Sequence, residues 1–220
     1  MFHYFEDKEF ISKMRCLGGH LLQDTCHILN MKYGIGAKFY LVGSGRRKLI
    51  TQNEELPIDL DYNLEIVRCD DFEDCRYLKE STRKAYTEAL NNEGLDACED
   101  STSSLTSKQI YFTTGNKTRF SFDVCIVTKD TKGNYHRLIH EKTGFTYTDR
   151  YYWNIAPNSK EIKMKSEFIK QKGKWRLLQK DYLRVKNKYL SRNDHNHPSF
   201  ICYVEAINNV YNSRIIGKKG

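Results

Sequence analysis

Two short blocks constrain this chain more than any other part of its sequence. Residues 39–47 (FYLVGSGRR) form an apolar, strand-like run that ends in a small-residue turn with one hydroxyl and two guanidinium groups. Residues 57–64 (PIDLDYNL) have a strand pattern with two carboxylates one residue apart. Because side chains alternate along a strand, Asp59 and Asp61 project from the same face. Like charges this close favour a cation between them, and Mg²⁺ prefers carboxylates together with substrate phosphates.

A third carboxylate lies in another apolar, β-rich run, residues 119–127 (RFSFDVCIV). If this run pairs beside the strand that carries Asp59 and Asp61, Asp123 completes a cluster of three carboxylates. Such a cluster can hold two metal ions about 3.5–4 Å apart, the geometry used for in-line phosphoryl displacement. A turn suited to phosphate next to carboxylates suited to metal predicts nucleotide chemistry.

The order of these blocks resembles the DNA polymerase β-type nucleotidyltransferase superfamily. The pattern of that family is an apolar strand, Gly-Ser, a gap, acid-apolar-acid on one strand, and a third acid on a later strand. This chain has Gly43-Ser44, then Asp59-Leu60-Asp61, then Asp123. The resemblance covers about residues 36 to 128.

The residues that follow the Gly-Ser pair match the family in part. Arg47 stands three residues after Ser44, as in many minimal members. Arg46 and Lys48 replace the small residue and the glycine that usually flank that arginine.

The resemblance implies an α+β nucleotidyltransferase fold, a mixed β-sheet flanked by helices. It also implies transfer of a nucleoside monophosphate from an NTP to an acceptor hydroxyl with release of pyrophosphate, supported by two Mg²⁺ ions or by Mn²⁺ in their place. The implied site has a nucleotide-binding group, Gly43, Ser44, Gly45, Arg46, Arg47 and Lys48, and a catalytic and metal-binding group, Asp59, Asp61 and Asp123.

Each motif alone is weak, because Gly and Ser mark turns in general and an Asp-x-Asp pair is common on solvated strands. A catalytically inactive nucleotide- or RNA-binding module on the same fold is therefore the alternative. The sequence has no Gly-x-Ser-x-Gly elbow and no complete Walker A motif. The sequence therefore argues against a serine hydrolase of that type and against a P-loop enzyme.

Hydrophobic periodicity predicts an α/β part followed by a helical part. The predicted elements are a helix over 6–32, a strand over 38–43, a short helix from Ser44 or Gly45, a polar loop over 48–56, a strand over 58–67, a surface helix over 70–92, a hairpin of strands over 106–114 and 117–128, a strand over 134–141, and helices from about 158, from about 174 and over 198–213. We expect a catalytic core over residues 1–144 and a helical C-terminal domain over 145–220.

The net charge of +8 is concentrated in one segment. Residues 160–192 contain twelve Lys or Arg and three acidic residues, so the remainder of the chain is close to neutral. A local excess of this kind indicates a binding surface for phosphates. The predicted partners are therefore an NTP and an RNA or nucleotide acceptor, although a solvated helix face explains the same pattern.

Two further clusters have a functional and a structural interpretation. An aromatic group, Tyr147, Tyr151, Tyr152 and Trp153, can stack a nucleobase or form a core or hinge between the two parts. His195, Asn196 and His197 with nearby Cys202 match no strong zinc pattern and indicate a turn with a helix cap.

The cysteine pattern and the hydropathy of the chain indicate its cellular compartment. The seven cysteines are scattered, without a Cys-x-x-Cys pair, which predicts reduced thiols rather than a disulfide framework. No apolar run approaches the roughly 20 residues of a membrane span, and the N-terminus lacks a secretory pattern. We expect a cytoplasmic protein without a membrane segment.

Overall fold

The computed structural model describes residues 1–157, 159–194 and 198–216. Nine strands and six helices lie in these residues. The strands are β1 (Phe2–Tyr4), β2 (Gly36–Leu41), β3 (Thr51–Asn53), β4 (Ile58–Arg68), β5 (Glu99–Asp100), β6 (Leu105–Thr106), β7 (Phe120–Lys129), β8 (Tyr135–Glu141) and β9 (Arg150–Ile155). The helices are α1 (Lys8–Tyr33), α2 (Gly43–Arg47), α3 (Cys75–Asn92), α4 (Lys160–Gln171), α5 (Trp175–Ser191) and α6 (Ser199–Ile216).

The chain divides into two units, each with its own packing. The sheet unit consists of residues 6–47 and 56–156. The helical unit consists of residues 1–5, 48–55 and 157–220. The division of the chain into functional domains at residues 144 and 145 stays a prediction.

The sheet unit is built on a mixed, seven-stranded sheet. Its strand order is β2-β4-β7-β6-β5, and β8 pairs with β7 and with β9. β4 and β7 run parallel, whereas the other pairs are antiparallel. Parallel neighbours require a crossover, and α3 lies in the connection between them. Together with the helices this confirms the predicted α+β fold.

Helices cover one face of this sheet. α1 is capped at its N-terminus by Asp7, whose side chain accepts a hydrogen bond from the backbone N–H of Phe10, and at its C-terminus by Gly34 in the left-handed conformation. At Gly18 the helix lies so close to the sheet that a Cβ would be 2.6 Å from the Tyr62 hydroxyl oxygen. α3 packs against α1 and against β8 and β9. The covered face is apolar, with Leu64 and Phe122 fully buried.

The opposite face of the sheet is polar. Alternation along the strands and the pairing register put these residues on it: Lys38 and Tyr40 of β2, Asp59, Asp61, Asn63 and Glu65 of β4, Asp123 and Cys125 of β7, Arg137 of β8, and Tyr152 and Asn154 of β9. Most of its side chains are charged or polar, and Val127 and Ile139 lie on the same face. The predicted catalytic residues therefore share the face opposite to the one that α1 and α3 cover.

Several local predictions were wrong. The predicted loop over 48–56 contains β3, which pairs with the unpredicted strand β1. α3 is not a surface helix, because it buries nine residues, several of them small enough to pack closely. The predicted first hairpin strand is only the two-residue β6 plus a bridge between Ile110 and Phe120. The aromatic stretch before Pro157 contains β9, because its alternating residues pair with β8.

The helical unit has a separate apolar core. α4, α5 and α6 contribute Ile169, Leu178, Tyr182, Val185, Ala206 and Ile207, and Leu49 joins them. β1 and β3 form a two-stranded sheet in this unit. None of the described helices has both the length and the apolar character that crossing a bilayer requires.

Candidate active site

The three predicted carboxylates lie on neighbouring strands of the polar face. Asp61 is directly opposite Asp123 in the parallel pairing of β4 with β7, and Asp59 is opposite Ser121. The Ser121 hydroxyl donates a hydrogen bond of 2.6 Å to Asp59 Oδ1. The predicted pairing of the two strands is thus confirmed, and it brings the acids together from positions more than 60 residues apart.

Asp61 is the electrostatic centre of this group. The pKa of Asp61 is raised from 3.8 to about 6, first by burial and then by the neighbouring charges of Asp123 and Asp59. The guanidinium groups of Arg47 and Arg137 act in the opposite sense. Carboxylates this close to one another repel, and a bound cation relieves that repulsion.

The Gly-Ser turn contacts this cluster directly. β2 leads into the turn, and the Val42 N–H donates a hydrogen bond of 2.8 Å to the carbonyl oxygen of Asp61. Gly43 has a positive φ of 58°, and a Cβ at this position would lie 1.9 Å from Asp61 Oδ2. Only glycine therefore permits both the backbone conformation and the close approach to the carboxylate.

A side chain of α1 holds the other end of the turn. Arg15 donates a hydrogen bond of 2.5 Å to the carbonyl oxygen of Gly45. A Cβ at Gly45 would lie 2.7 Å from Leu60 Cδ2, so the turn also packs against β4. The turn is therefore fixed on both sides by the sheet unit.

The three basic residues predicted to bind the nucleotide differ in exposure and in the unit to which they belong. Arg46 is exposed, whereas Arg47 is half-buried and close enough to Asp61 to lower its pKa. Lys48 has a positive φ of 59° and is the first residue of the next segment of the helical unit. The nucleotide-binding roles of these three residues stay predictions.

Arg137 is a residue that the sequence did not indicate. It is opposite Val127 in the pairing of β7 with β8, on the face that carries Asp123. Its Nε is buried and has no hydrogen-bond partner among the described residues. The signal for it in the sequence is weak: a single Arg at an alternating position of a predicted strand. Its proximity to the acids depends on strand register.

The donor set suits a hard divalent cation, because it consists of carboxylate oxygens. In the part of the chain that the structure describes, however, no three His, Cys, Asp or Glu side chains stand in an arrangement that could hold a metal ion. The fold therefore brings together donors of the right chemistry without a closed coordination sphere. The assignment of metal ligands stays a prediction.

The structure describes the aromatic cluster of the sequence but not the histidine cluster. Tyr151 stacks on His140 at 4.1 Å between ring centroids, and Trp153 Nε1 donates to the carbonyl oxygen of Phe72, so both belong to the helix-covered side. Tyr152 and Tyr147 are exposed. His195, Asn196 and His197 lie outside the described residues.

Solved structures with a similar fold include two cyclic nucleotide synthases and a protein in complex with ATP. The chain aligns with a Vibrio cholerae DncV cyclic AMP-GMP synthase in complex with the linear intermediate 5′ pppA(3′,5′)pG, with a TM-score of 0.58, 10% identity, and coverage of 82% of this chain and 62% of that chain. For E. coli MS115-1 CdnC with ATP the TM-score is 0.52 at 16% identity, covering 92% of this chain and 61% of that one. For Elizabethkingia meningoseptica CdnE cyclic dinucleotide synthase with GTP and Apcpp it is 0.51 at 15% identity, covering 85% and 66%.

The likeness is one of fold, because identities are low and the chain spans less than two thirds of the length of each of these proteins. No protein-family model and no curated protein sequence matches the chain. The structural neighbours are members of the superfamily that the motifs resemble. The chain therefore has the nucleotidyltransferase fold that these structures share.

Proposed function

We propose that this protein transfers a nucleoside monophosphate from an NTP to an acceptor hydroxyl and releases pyrophosphate. The observation that carries the proposal is the contact between the turn and the acids: a Cβ at Gly43 would meet Asp61 Oδ2 at 1.9 Å. A phosphate held by the turn would then lie beside the carboxylates. Phosphoryl transfer needs this juxtaposition, because it depends on positioning and charge stabilisation.

The turn binds the triphosphate in this proposal. The Ser44 hydroxyl and the backbone N–H groups next to it donate to the β- and γ-phosphate oxygens. Arg47 neutralises charge that develops on the departing pyrophosphate, and Arg46 and Lys48 add to the positive potential. The half-buried position of Arg47 beside Asp61 supports its role over that of the exposed Arg46.

The carboxylates orient the reacting groups. Asp123 holds the acceptor hydroxyl in line with the α-phosphorus and takes its proton as the new O–P bond forms. The bond between the α-phosphorus and the bridging oxygen breaks, and the pyrophosphate leaves with the electron pair. Asp59 and Asp61 would hold the metal ion on the side of the nucleotide. Two Mg²⁺ ions, or Mn²⁺, held by these three residues would supply charge neutralisation and a lower pKa for the acceptor hydroxyl.

The acceptor is RNA or a nucleotide in this proposal. The support is the basic character of α4 and α5, whose Lys163, Lys170, Arg176, Lys180 and Arg184 are exposed. Binding of a polyanion to such a surface weakens steeply with salt, because counterions are released on association. A cationic acceptor would instead require an acidic surface.

The test is to incubate the protein with each labelled NTP, Mg²⁺ or Mn²⁺, and total RNA, nucleotides and protein, and to locate the label. We expect label in RNA or nucleotide and an equal amount of pyrophosphate. Asp59→Asn and Asp123→Asn should each lower the rate by at least ~100-fold. Asp96→Asn is the matched control, because Asp96 is an exposed acid in the same unit that pairs with Lys108.

Two outcomes contradict the proposal. Unchanged transfer in Asp59→Asn or Asp123→Asn at saturating metal would remove these carboxylates from the mechanism. Tight NTP binding in calorimetry without pyrophosphate release for any acceptor would favour the inactive nucleotide- or RNA-binding module.

A further inference from the structure

Two hydroxyl groups are bonded to the carboxylates of the candidate active site, each from the neighbouring strand. Thr106 Oγ1 donates a hydrogen bond of 2.5 Å to Asp123 Oδ1. Ser121 Oγ donates one of 2.6 Å to Asp59 Oδ1. Both contacts follow from strand register, because Thr106 is opposite Asp123 and Ser121 is opposite Asp59. A hydrogen bond from a hydroxyl to a carboxylate of the site therefore occurs twice on one sheet face.

Asp123 needs such a contact to keep one orientation. The χ2 torsion of an aspartate is broad, so packing of its Cβ alone does not determine where its oxygens lie. Asp61 lies directly opposite it on β4, and two carboxylates on adjacent strands repel each other when both are ionised. A hydrogen bond to one oxygen holds the carboxylate in place against this repulsion.

Thr106 is itself held firmly. It ends the short β5–β6 hairpin, and the ammonium group of Lys79 in α3 anchors that hairpin. Lys79 Nζ lies 3.0 Å from Asp100 Oδ1 and donates to the carbonyl oxygens of Ser101 and Ser104. Lys79 is only 1% exposed, so this anchor is shielded from solvent. Ser107, the residue after Thr106, also contacts β7, because its hydroxyl accepts a hydrogen bond from the Phe122 N–H.

We propose that Thr106 is a positioning residue, whose hydroxyl sets the orientation of Asp123 for binding a divalent cation, and that Ser121 does the same for Asp59. The proposal rests on the proposed function, since it concerns the metal ligands of that site. Residues that bond to metal ligands typically change metal affinity or activity by about 10- to 100-fold when they are removed. Thr106 has the geometry of such a residue, because its hydroxyl donates to a carboxylate oxygen of Asp123.

The experiment measures binding of Mn²⁺ alone, and of Mn²⁺ with a non-hydrolysable NTP analogue, by electron paramagnetic resonance of the free ion. The variants are Thr106→Val, which keeps the shape and removes the hydroxyl, Thr106→Ser, which keeps the hydroxyl, and Ser121→Ala. Thr128→Val is the matched control. It removes a β7 hydroxyl that donates to the Ile66 carbonyl oxygen on the other face of the sheet.

We expect Thr106→Val and Ser121→Ala to bind Mn²⁺ about 10- to 100-fold more weakly than the original chain. Thr106→Ser and Thr128→Val should keep its affinity within the same order of magnitude. Thermal unfolding of all four variants is measured in parallel, so that a loss of Mn²⁺ binding is interpreted only for folded protein.

Three results would overturn the proposal: unchanged Mn²⁺ affinity in a folded Thr106→Val protein, the same loss in Thr106→Ser, or the same loss in Thr128→Val. Failure of the proposed function is distinguishable, because Mn²⁺ binding does not require turnover. If Thr106→Val loses Mn²⁺ and Thr106→Ser retains it while no NTP is consumed, the positioning role holds and the transfer reaction is wrong.

Discussion

Asp61 and Asp123 lie directly opposite each other in the parallel pairing of β4 with β7. This single register relationship creates the charge density of the candidate active site. Burial is the largest cause of the raised pKa of Asp61, which is about 6, and the charge of Asp123 is the second. Arg47 and Arg137 act in the opposite direction. The pair also has a cost, because two carboxylates on adjacent strands destabilise the sheet when both are ionised.

Asp61→Asn should stabilise the protein above the pKa of Asp61. A folded pKa raised above the unfolded value of 3.8 means that stability is lost as pH rises through about 6. We expect the variant to be more stable by about 1 to 2 kcal/mol at about pH 8, and equal to the original chain near pH 4. Urea unfolding in the presence of a chelator, repeated across this pH range, measures the difference.

Arg137→Gln gives an independent check of the same electrostatics. Because Arg137 lowers the pKa of Asp61, its removal should move the titration of the Asp61 carboxyl to higher pH. Carbon-13 chemical shifts of that carboxyl report the midpoint. A midpoint that stays in place or falls would show that Arg137 does not act on Asp61.

Gly43→Ala should abolish NTP binding and destabilise the turn. The new Cβ would overlap Asp61 Oδ2 and would sit on a backbone with φ of +58°. We expect a loss of stability of about 1 to 3 kcal/mol, together with the loss of NTP binding by calorimetry. Gly94→Ala is the control, because Gly94 has a φ of +72° and nothing within 4 Å of its Cβ position. If both variants bind NTP equally well, contact between the turn and Asp61 is not required.

The adjacent glycines of α1 should respond in opposite directions to alanine. At Gly18 a Cβ would lie 2.6 Å from the Tyr62 hydroxyl oxygen and 2.9 Å from Phe122 Cε1, so Gly18→Ala overpacks the contact between helix and sheet by about 1 to 3 kcal/mol. Gly19 has nothing within 4 Å, so Gly19→Ala gains about 0.5 to 1 kcal/mol of helix propensity. Thermal unfolding of both variants tests the pair, and equal shifts would contradict the packing at Gly18.

Lys79→Met should cost about 3 kcal/mol, because it leaves Asp100 without its buried ammonium partner. Asp100 keeps a contact with His140 Nδ1 at 2.5 Å, which limits the loss. The control is Lys32→Met, which removes a surface ion pair with Glu88 and should cost less than about 1 kcal/mol. Chemical denaturation compares the two variants. Similar values would mean that Lys79 is not an anchor of the β5–β6 hairpin.

Alternation and local spacing predicted a large part of this site. Asp59 and Asp61 share a face because successive side chains on one strand point to opposite sides. α1 lies close to its predicted bounds of 6–32, since its apolar spacing is a local signal. β9 was missed because its aromatic residues form a strand only when β8 is beside them.

The sequence by itself determined which groups are present: a small-residue turn, two acids on one strand, one acid on another, and the basic helices of the C-terminal part. Only the tertiary structure decided which of these groups meet. The register of β4 against β7, and of β6 and β8 against β7, brings Asp123, Thr106 and Arg137 to the acids of β4. Such a register depends on which face of each strand is buried, and strands that pair are far apart in the sequence, so no local window of residues contains it.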